Sequence, residues 1–290
     1  MLFNNYMPKF VIVVDMGNTS TMLGLARAGR ISAISRLPTR TACRADVTAA
    51  LTGLTRNRLI AGAMLCSVVP ERNRLWLREL RSCSGRTPVV VHHRMKLGLR
   101  IEYPNPASIG ADRLANACGA VHRYGSHVIV ADFGTALTFD VIANNAYMGG
   151  IIVPGLPLMT DYLAEKTALL PHLRLDRYHG IPRNLRAMTV IGKSTRQAMA
   201  IGARLGYIGM VREIFTRLQH TLKRRSVRLC ATGGYAAWAL AGCDLPVRID
   251  PDLTLYGIAR IYELNAPVSH GDARIRNTRR RGTGNLRSKA

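Results

Sequence analysis

Runs of apolar residues alternate along the chain with segments in which apolar residues recur every three or four positions. The runs predict strands at 11–14, 59–69, 88–92, 128–131 and 227–231. The three-to-four spacing predicts helices at 71–82, 111–124, 194–218 and 253–264, and a short helix is expected to end at Ala241. In the longest helix the predicted buried stripe is Ile201, Leu205, Ile208 and Val211. Strands that alternate with helices in this way indicate an α/β fold.

The clearest sign of organisation is a short sequence that occurs twice. The segment 11–17 is echoed at 128–134, and each copy is an apolar run that ends in Asp-x-Gly. Small hydroxylated residues follow each copy, and then apolar residues return. This pattern predicts a β-hairpin with a glycine-bearing loop in each half. Two such hairpins predict a duplicated fold, with one domain over 1–120, a second over 121–268 and a tail over 269–290.

Composition supports a globular protein with a sizeable core. The chain has 290 residues, of which 48% are hydrophobic and 20% charged, which excludes wholesale disorder. No apolar run approaches the roughly 18 residues that a membrane span needs. The apolar stretch 10–14 runs straight into Asp15, so we expect no signal peptide. The six cysteines lack a CxxC pair, which argues against a zinc site and favours reduced thiols in the cytoplasm.

The charge of the chain is its outlying property. Lys and Arg number 41 against 17 for Asp and Glu, which gives a net charge of +24. Such a balance raises nucleic acid or an anionic surface as a partner. The basic residues are spread along the whole chain, which argues against one dedicated basic module. The Arg-rich tail 269–290 carries +6 of this charge, and its polar composition predicts disorder.

The first Asp-x-Gly turn has the chemistry of a phosphate site. A carboxylate at a strand end, here Asp15, can meet a hydrated Mg²⁺. Gly17 leaves room for a phosphate, and the N–H groups and hydroxyls of 18–21 can donate to its oxygens. An ordinary hairpin turn would use the same residues. The second copy at Asp132 favours a pair of hairpins that grip a nucleotide, and the Gly-Gly turn at 232–234 is a third candidate contact.

Taken in order, these motifs make the chain resemble the type III pantothenate kinases, within the superfamily of acetate and sugar kinases, Hsc70 and actin. The resemblance covers about 10–265 and rests on the motifs at 15–24, 66–70, 103–113, 132–140, 149–155, 191–195 and 232–234. It implies two similar RNase H-like (actin-like) domains with a nucleotide cleft between them. It also implies ATP-dependent phosphorylation of pantothenate to 4′-phosphopantothenate, the first step of coenzyme A biosynthesis.

The resemblance also implies a role for individual residues. Asp112 matches the catalytic base, and Asp132 matches the ligand of a monovalent cation, K⁺ or NH₄⁺. Mg²⁺-ATP would be bound by Asp15, Met16, Gly17, Asn18, Thr19, Ser20, Thr21, Met22 and Thr135, with Asp15 next to the Mg²⁺. Pantothenate would be bound by Tyr103, Gly110, Ala111, Asp112, Arg113 and Thr195. Thr195 matches a residue near a subunit interface, which implies a homodimer.

Other interpretations of the same residues stay open. Asp112 and Arg113 could be a helix N-terminal acid and a solvated arginine, Tyr103 could cover the core, and Thr195 could cap a helix. On the same scaffold the chain could be a regulatory or nucleic-acid-binding protein, or a kinase for another hydroxylated substrate. The sequence has no helix-turn-helix, RNA-recognition or zinc-finger signature. Because Asp15, Asp112 and Asp132 are all present, the kinase is favoured, and we expect neither nucleic acid nor membrane as a partner.

Overall fold

The first half of the chain builds a five-stranded sheet. The computed structural model describes residues 9–173, 190–223 and 226–266. The elements of the first half are β1 (Phe10–Met16), β2 (Ser20–Arg27), β3 (Arg30–Pro38), α1 (Arg44–Thr55), β4 (Ile60–Ser67), α2 (Pro70–Ser84) and β5 (Val89–Val90). The sheet order is β3-β2-β1-β4-β5. Strands β1 to β3 form an antiparallel meander, whereas β4 and β5 continue in parallel beside β1.

The second half repeats this arrangement. Its elements are β6 (Arg100–Ile101), a 3₁₀ turn (Pro106–Ser108), α3 (Ala111–Tyr124), β7 (Val128–Phe133), β8 (Ala136–Ala143), β9 (Ala146–Pro154), α4 (Leu156–Lys166), α5 (Thr195–Leu222), β10 (Arg228–Thr232), α6 (Ala236–Leu240), β11 (Val247–Ile249) and α7 (Leu253–Asn265). The sheet order is β11-β10-β7-β8-β9-β6. The meander β7–β9 with parallel β10 and β11 matches the five strands of the first sheet, and β6 is an additional strand beside β9. The predicted duplicated α/β fold and both predicted hairpins are confirmed.

Three apolar cores hold the two sheets and their helices together. One core lies between the sheets and includes α3 and α7, which pack against each other. The other two lie on the outer faces, one against α1 and α2 and the other against α5 and α6. Helix α3 contains residue 120, the predicted domain boundary, and it lies in the core between the two sheets. Strand β6, from before that boundary, pairs with β9 from after it, so the two halves are closely joined. The division at residue 120 stays a prediction, and the tail 269–290 lies outside the described residues.

The longest helix corrects one sequence prediction. Helix α5 buries Ile201, Ile208 and Val211 as expected, but Leu205 is 37% exposed. Arg204 is buried in its place, with its guanidinium over the Trp238 ring and its N–H groups donating to carbonyl oxygens at the end of α6. Those carbonyls have no partner inside their own helix. The arginine is therefore buried because it caps a neighbouring helix, which apolar spacing cannot reveal.

Candidate active site

The two hairpin turns face each other across a cleft. Thr19 in the first turn and Thr135 in the second share a hydrogen bond of 2.8 Å between their hydroxyl oxygens, although they are 116 residues apart. The cleft has a volume of about 400 Å³. It is lined by Asp15, Gly17, Asn18, Thr19, Ser20 and Met22 of the first hairpin, by Asp132, Gly134, Thr135, Ala136 and Thr138 of the second, and by Arg36, Val68, Asp112, Thr232, Gly233, Gly234, Ala237, Ile249, Pro251, Asp252, Thr254 and Leu255.

Three aspartates meet in this cleft. Asp15 lies near the end of β1, Asp132 near the end of β7 and Asp112 in the first turn of α3. Burial, followed by the charges of Asp112 and Asp132, raises the pKa of Asp15 well above its usual range. Burial and the charge of Asp112 raise the pKa of Asp132 to about 6. Three carboxylates that repel one another would gain from a nearby cation.

The donor set suits a cation that is shared with phosphate oxygens. Within the described part of the chain, no group of three or more His, Cys, Asp or Glu side chains is placed to hold a metal ion. Mg²⁺ typically takes one or two protein carboxylates and completes its shell with water and substrate phosphates. Asp15, on the first hairpin of the cleft, can supply such a carboxylate.

The first turn of α3 fixes the orientation of Asp112. Its carboxylate Oδ1 accepts a hydrogen bond of 2.8 Å from the backbone N–H of Arg113. Gly110 is needed beside it, because a Cβ at that position would lie only 2.5 Å from the same oxygen. Burial is the main cause of a raised pKa at Asp112, and it outweighs the hydrogen bond and positive charge of Arg113. A carboxylate of raised pKa is a better proton acceptor than a surface aspartate.

A buried amide connects Asp132 to α3 and α7. Asn116 is fully buried, one helical turn after Asp112 on α3. Its Nδ2 donates to Asp132 Oδ2 at 2.8 Å, and its Oδ1 accepts from the Thr254 hydroxyl at 2.8 Å. Gly233 closes over the other carboxylate oxygen, since a Cβ there would lie 2.6 Å from Asp132 Oδ1. Asn116 therefore fixes one carboxylate oxygen of Asp132, and glycine at position 233 leaves space beside the other.

Arg113 points away from the cleft. Its Nε donates to Asp140 Oδ1 at 2.7 Å, and the Tyr147 hydroxyl donates to the same oxygen at 2.8 Å. The Tyr103 ring is exposed and packs edge-on against Tyr147, with 6.2 Å between the ring centroids. Tyr103 and Arg113 therefore belong to one cluster on the far side of Asp112, and neither lines the cleft.

The remaining predicted residues fall into three places. Gly110 and Ala111 begin α3, next to Asp112. Met16 and Thr21 are buried in the first half and do not line the cleft. Thr195 is the exposed first residue of α5 and also lies away from the cleft. The capping residue of α5 is Ser194, whose hydroxyl accepts from the N–H of Gln197, so Thr195 is not the helix cap.

Sequence reasoning missed several residues that line the cleft or hold its side chains in place. Asn116 could have been found, because it lies four positions after Asp112 and therefore on the same helix face. Arg36 could not, because it lies on β3, a largely exposed strand whose residues form no clear apolar pattern. Asp252 and Thr254 reach the cleft only because α7 packs against α3.

Comparison with known proteins shows which family most of the chain resembles. The sequence profile of the type III pantothenate kinase family matches residues 11–217. A type III pantothenate kinase of Dehalococcoides mccartyi is 36% identical over 270 residues, which cover 89% of this chain and 99% of that protein. One from Akkermansia muciniphila is 44% identical over 210 residues, covering 70% of this chain and 78% of that protein.

A solved structure agrees at the level of the fold. The crystal structure of a conserved Baf family protein from Campylobacter jejuni superposes with a TM-score of 0.52 at 16% identity, covering 87% of this chain and 97% of that one. At that identity the likeness shows the fold alone, and it fits the predicted actin-like architecture. The profile match and the relatives of similar length go further, and with the paired hairpins they establish that this chain belongs to the type III pantothenate kinase family.

Proposed function

We propose that the cleft between the two hairpins is where this pantothenate kinase transfers the γ-phosphoryl group of ATP to the hydroxyl of pantothenate. The product is 4′-phosphopantothenate, in the first step of coenzyme A biosynthesis. The observation that supports this site is the hydrogen bond between Thr19 and Thr135, which brings two turns rich in N–H and hydroxyl donors face to face. Such donors suit a phosphate chain.

The first hairpin is the proposed ATP site. Gly17, Asn18, Thr19 and Ser20 border the cleft and can present backbone or side-chain donors to phosphate oxygens. Met16 and Thr21 act indirectly in this proposal, because their buried side chains anchor the turn. Thr21 does so through a hydrogen bond of 2.9 Å with the Thr39 hydroxyl. A divalent cation bound with ATP beside Asp15 would neutralise phosphate charge.

Asp112 is the proposed general base. Its carboxylate accepts the proton of the pantothenate hydroxyl as that oxygen bonds to the γ-phosphorus. The bond between this phosphorus and the oxygen that bridges to the β-phosphorus breaks, and ADP leaves with the electron pair. Asp132, held by Asn116, is the proposed ligand of a monovalent cation on the opposite side of the phosphate chain.

The cluster beyond Asp112 is the proposed pantothenate site. Gly110, Ala111 and Arg113 surround the base along the start of α3, and Tyr103 offers an exposed ring nearby. Arg113 contributes positive charge, although its Nε is already engaged by Asp140. Thr195 lies away from the cleft of its own chain, so its proposed contact with pantothenate requires a second copy.

An apolar face on α4 supports a homodimer. Leu158, Tyr162 and Leu163 are exposed there, and Ile152 on the neighbouring β9 is 60% exposed. Contiguous exposed apolar residues commonly mark a protein interface. Helix α4 also packs against α5, which begins at Thr195. We therefore propose that a second copy covers this face.

The dimer proposal is tested by placing a charge on α4. Leu158→Asp is expected to convert a species of twice 31.9 kDa into one of 31.9 kDa, because a buried unpaired carboxylate disfavours association. Sedimentation velocity measures the masses. Leu59→Asp is the matched control, since Leu59 is equally exposed at the start of β4 and should leave the dimer intact. A wild-type chain that sediments at 31.9 kDa would refute the proposal.

Location and other partners are further proposals. All six cysteines are free thiols, which supports a cytoplasmic enzyme. No helix within the described ranges has the length and apolar character to cross a bilayer. We propose no nucleic-acid partner.

The activity is tested by coupled detection of ADP. With ATP, Mg²⁺ and K⁺, the purified protein is expected to release ADP only when pantothenate is present, and replacing K⁺ by a bulky organic cation is expected to slow turnover. ADP release that does not depend on pantothenate would contradict the kinase assignment at this site. Turnover that is indifferent to K⁺ would remove only the proposed role of Asp132.

A further inference from the structure

The cleft is acidic although the chain is strongly basic. Four of its lining residues are aspartates, namely Asp15, Asp112, Asp132 and Asp252. Arg36 is the single Lys or Arg side chain that lines it within the described ranges. The net charge of +24 therefore gives the cleft no general attraction for a polyanion. A nucleotide that carries several negative charges needs bound cations there, and one guanidinium is already in place.

Arg36 reaches from one half of the molecule to the other. It lies on β3 of the first sheet, opposite Met22 in the register of β2, and its Nη2 is 3.2 Å from the Met22 sulfur. Its Nη1 is 3.6 Å from the point that a Cβ on Gly234 would occupy. Gly234 belongs to the turn between β10 and α6 in the second half. The guanidinium therefore spans the mouth of the cleft between the first hairpin and the Gly-Gly turn.

No carboxylate neutralises this guanidinium. In the ranges that the structure describes, Arg36 has no acidic side chain within ion-pair distance. The sulfur of Met22 is only a weak acceptor. Nearly all of the N–H donors of the Arg36 guanidinium therefore stay available. Burial and the charges of Asp112 and Asp132 raise the pKa of Asp15, and the charge of Arg36 offsets part of that rise, so the guanidinium lies within electrostatic reach of the first hairpin. An unpaired planar cation beside glycine turns is well suited to bind phosphate oxygens.

We propose that Arg36 binds the phosphate groups of the nucleotide. Its guanidinium is the positive charge that the protein itself supplies to those phosphates. This inference rests on the proposed nucleotide site. The guanidinium donates N–H groups to phosphate oxygens from the side of β3, while the turn at Gly233 and Gly234 presents its backbone from the other side. Its partner is the nucleotide rather than pantothenate, because Tyr103 and Arg113 lie in a separate cluster beyond Asp112.

The test measures nucleotide binding directly. Isothermal titration of the full chain with Mg²⁺-ADP and with adenosine compares Arg36→Gln, Arg36→Lys and the wild type. Charge-assisted hydrogen bonds contribute roughly 1.5–3 kcal/mol, so Arg36→Gln is expected to weaken Mg²⁺-ADP binding by about 10–100-fold. Adenosine has no phosphate, and its affinity should not change. Arg36→Lys is expected to recover part of the loss, because it restores the charge without the planar fork.

Arg30→Gln is the matched control. Arg30 is an exposed arginine at the other end of β3, and its substitution should leave both affinities at wild-type values. Equal Mg²⁺-ADP affinity in Arg36→Gln and wild type would overturn the inference, as would an equal loss for ADP and adenosine. A raised KM for pantothenate with unchanged Mg²⁺-ADP affinity would overturn it as well. Since these titrations contain no pantothenate, they stay decisive even if the chain phosphorylates a different acceptor.

Discussion

Replacing Asp112 by asparagine is expected to lower kcat for pantothenate phosphorylation by roughly 10²–10⁴-fold, the usual contribution of a positioned general base. The amide keeps the size of the side chain but cannot accept the hydroxyl proton. The first turn of α3 should stay folded, since an amide oxygen can still accept the hydrogen bond from the Arg113 N–H. Steady-state ADP release measures kcat, and titration with Mg²⁺-ADP checks that the nucleotide site is intact.

The matched control for Asp112→Asn is Glu71→Gln. Glu71 is also an acid in the first turn of a helix, but it lies exposed on α2 and away from the cleft. Its substitution removes one negative charge and should change kcat by less than about twofold, as surface substitutions usually do little. If Asp112→Asn retained a kcat close to that of Glu71→Gln, Asp112 would not be the base.

The sequence was most informative where strands end in polar residues. The paired Asp-x-Gly segments predicted two hairpins, and the structure brings Asp15 and Asp132, which lie on equivalent strands of the two sheets, to the same cleft. Helix α3 was predicted with its observed bounds, because its apolar residues recur at helical spacing between two glycines. Local patterns of this kind depend on neighbouring residues and can be detected in one sequence.

Features that depend on distant contacts could not be predicted. Strand β3 is exposed along much of its length, so it lacks an apolar run. Arg36 reaches the cleft because β3 lies beside it. Arg204 is buried because its guanidinium binds the carbonyl oxygens at the end of α6. Arg113 was expected beside the substrate, yet its Nε is directed to Asp140, 27 residues away on β8. In each case a long side chain meets a partner that only the tertiary structure brings within reach.

Net charge was a poor guide to the site. The chain carries +24, but its cleft holds four aspartates and one arginine among the described residues. Charge on the outer surface acts over about 10 Å or less at physiological salt, whereas groups in a cleft interact at contact distance. We therefore propose that nucleotide binding depends on Arg36, backbone donors and bound cations rather than on the average charge.

The buried ion pair between α3 and β8 predicts a large effect on stability. Asp140 is fully buried, and its Oδ1 accepts from both Arg113 and Tyr147. Asp140→Ala leaves the Arg113 guanidinium, whose side chain is 12% exposed, without its partner. Removing one member of a buried pair typically costs about 3–5 kcal/mol, because the remaining charge is uncompensated. Urea unfolding followed by circular dichroism should show a clear fall in the transition midpoint.

Two comparisons separate this explanation from a general loss of packing. Glu102→Ala breaks the exposed pair with Arg100 and is expected to cost less than about 1 kcal/mol. Combining Asp140→Leu with Arg113→Met removes both charges, and it should recover much of the stability lost in Asp140→Ala. A double variant as unstable as Asp140→Ala would show that an uncompensated charge is not the cause. The double variant should still have reduced activity, because Arg113 is part of the proposed substrate site.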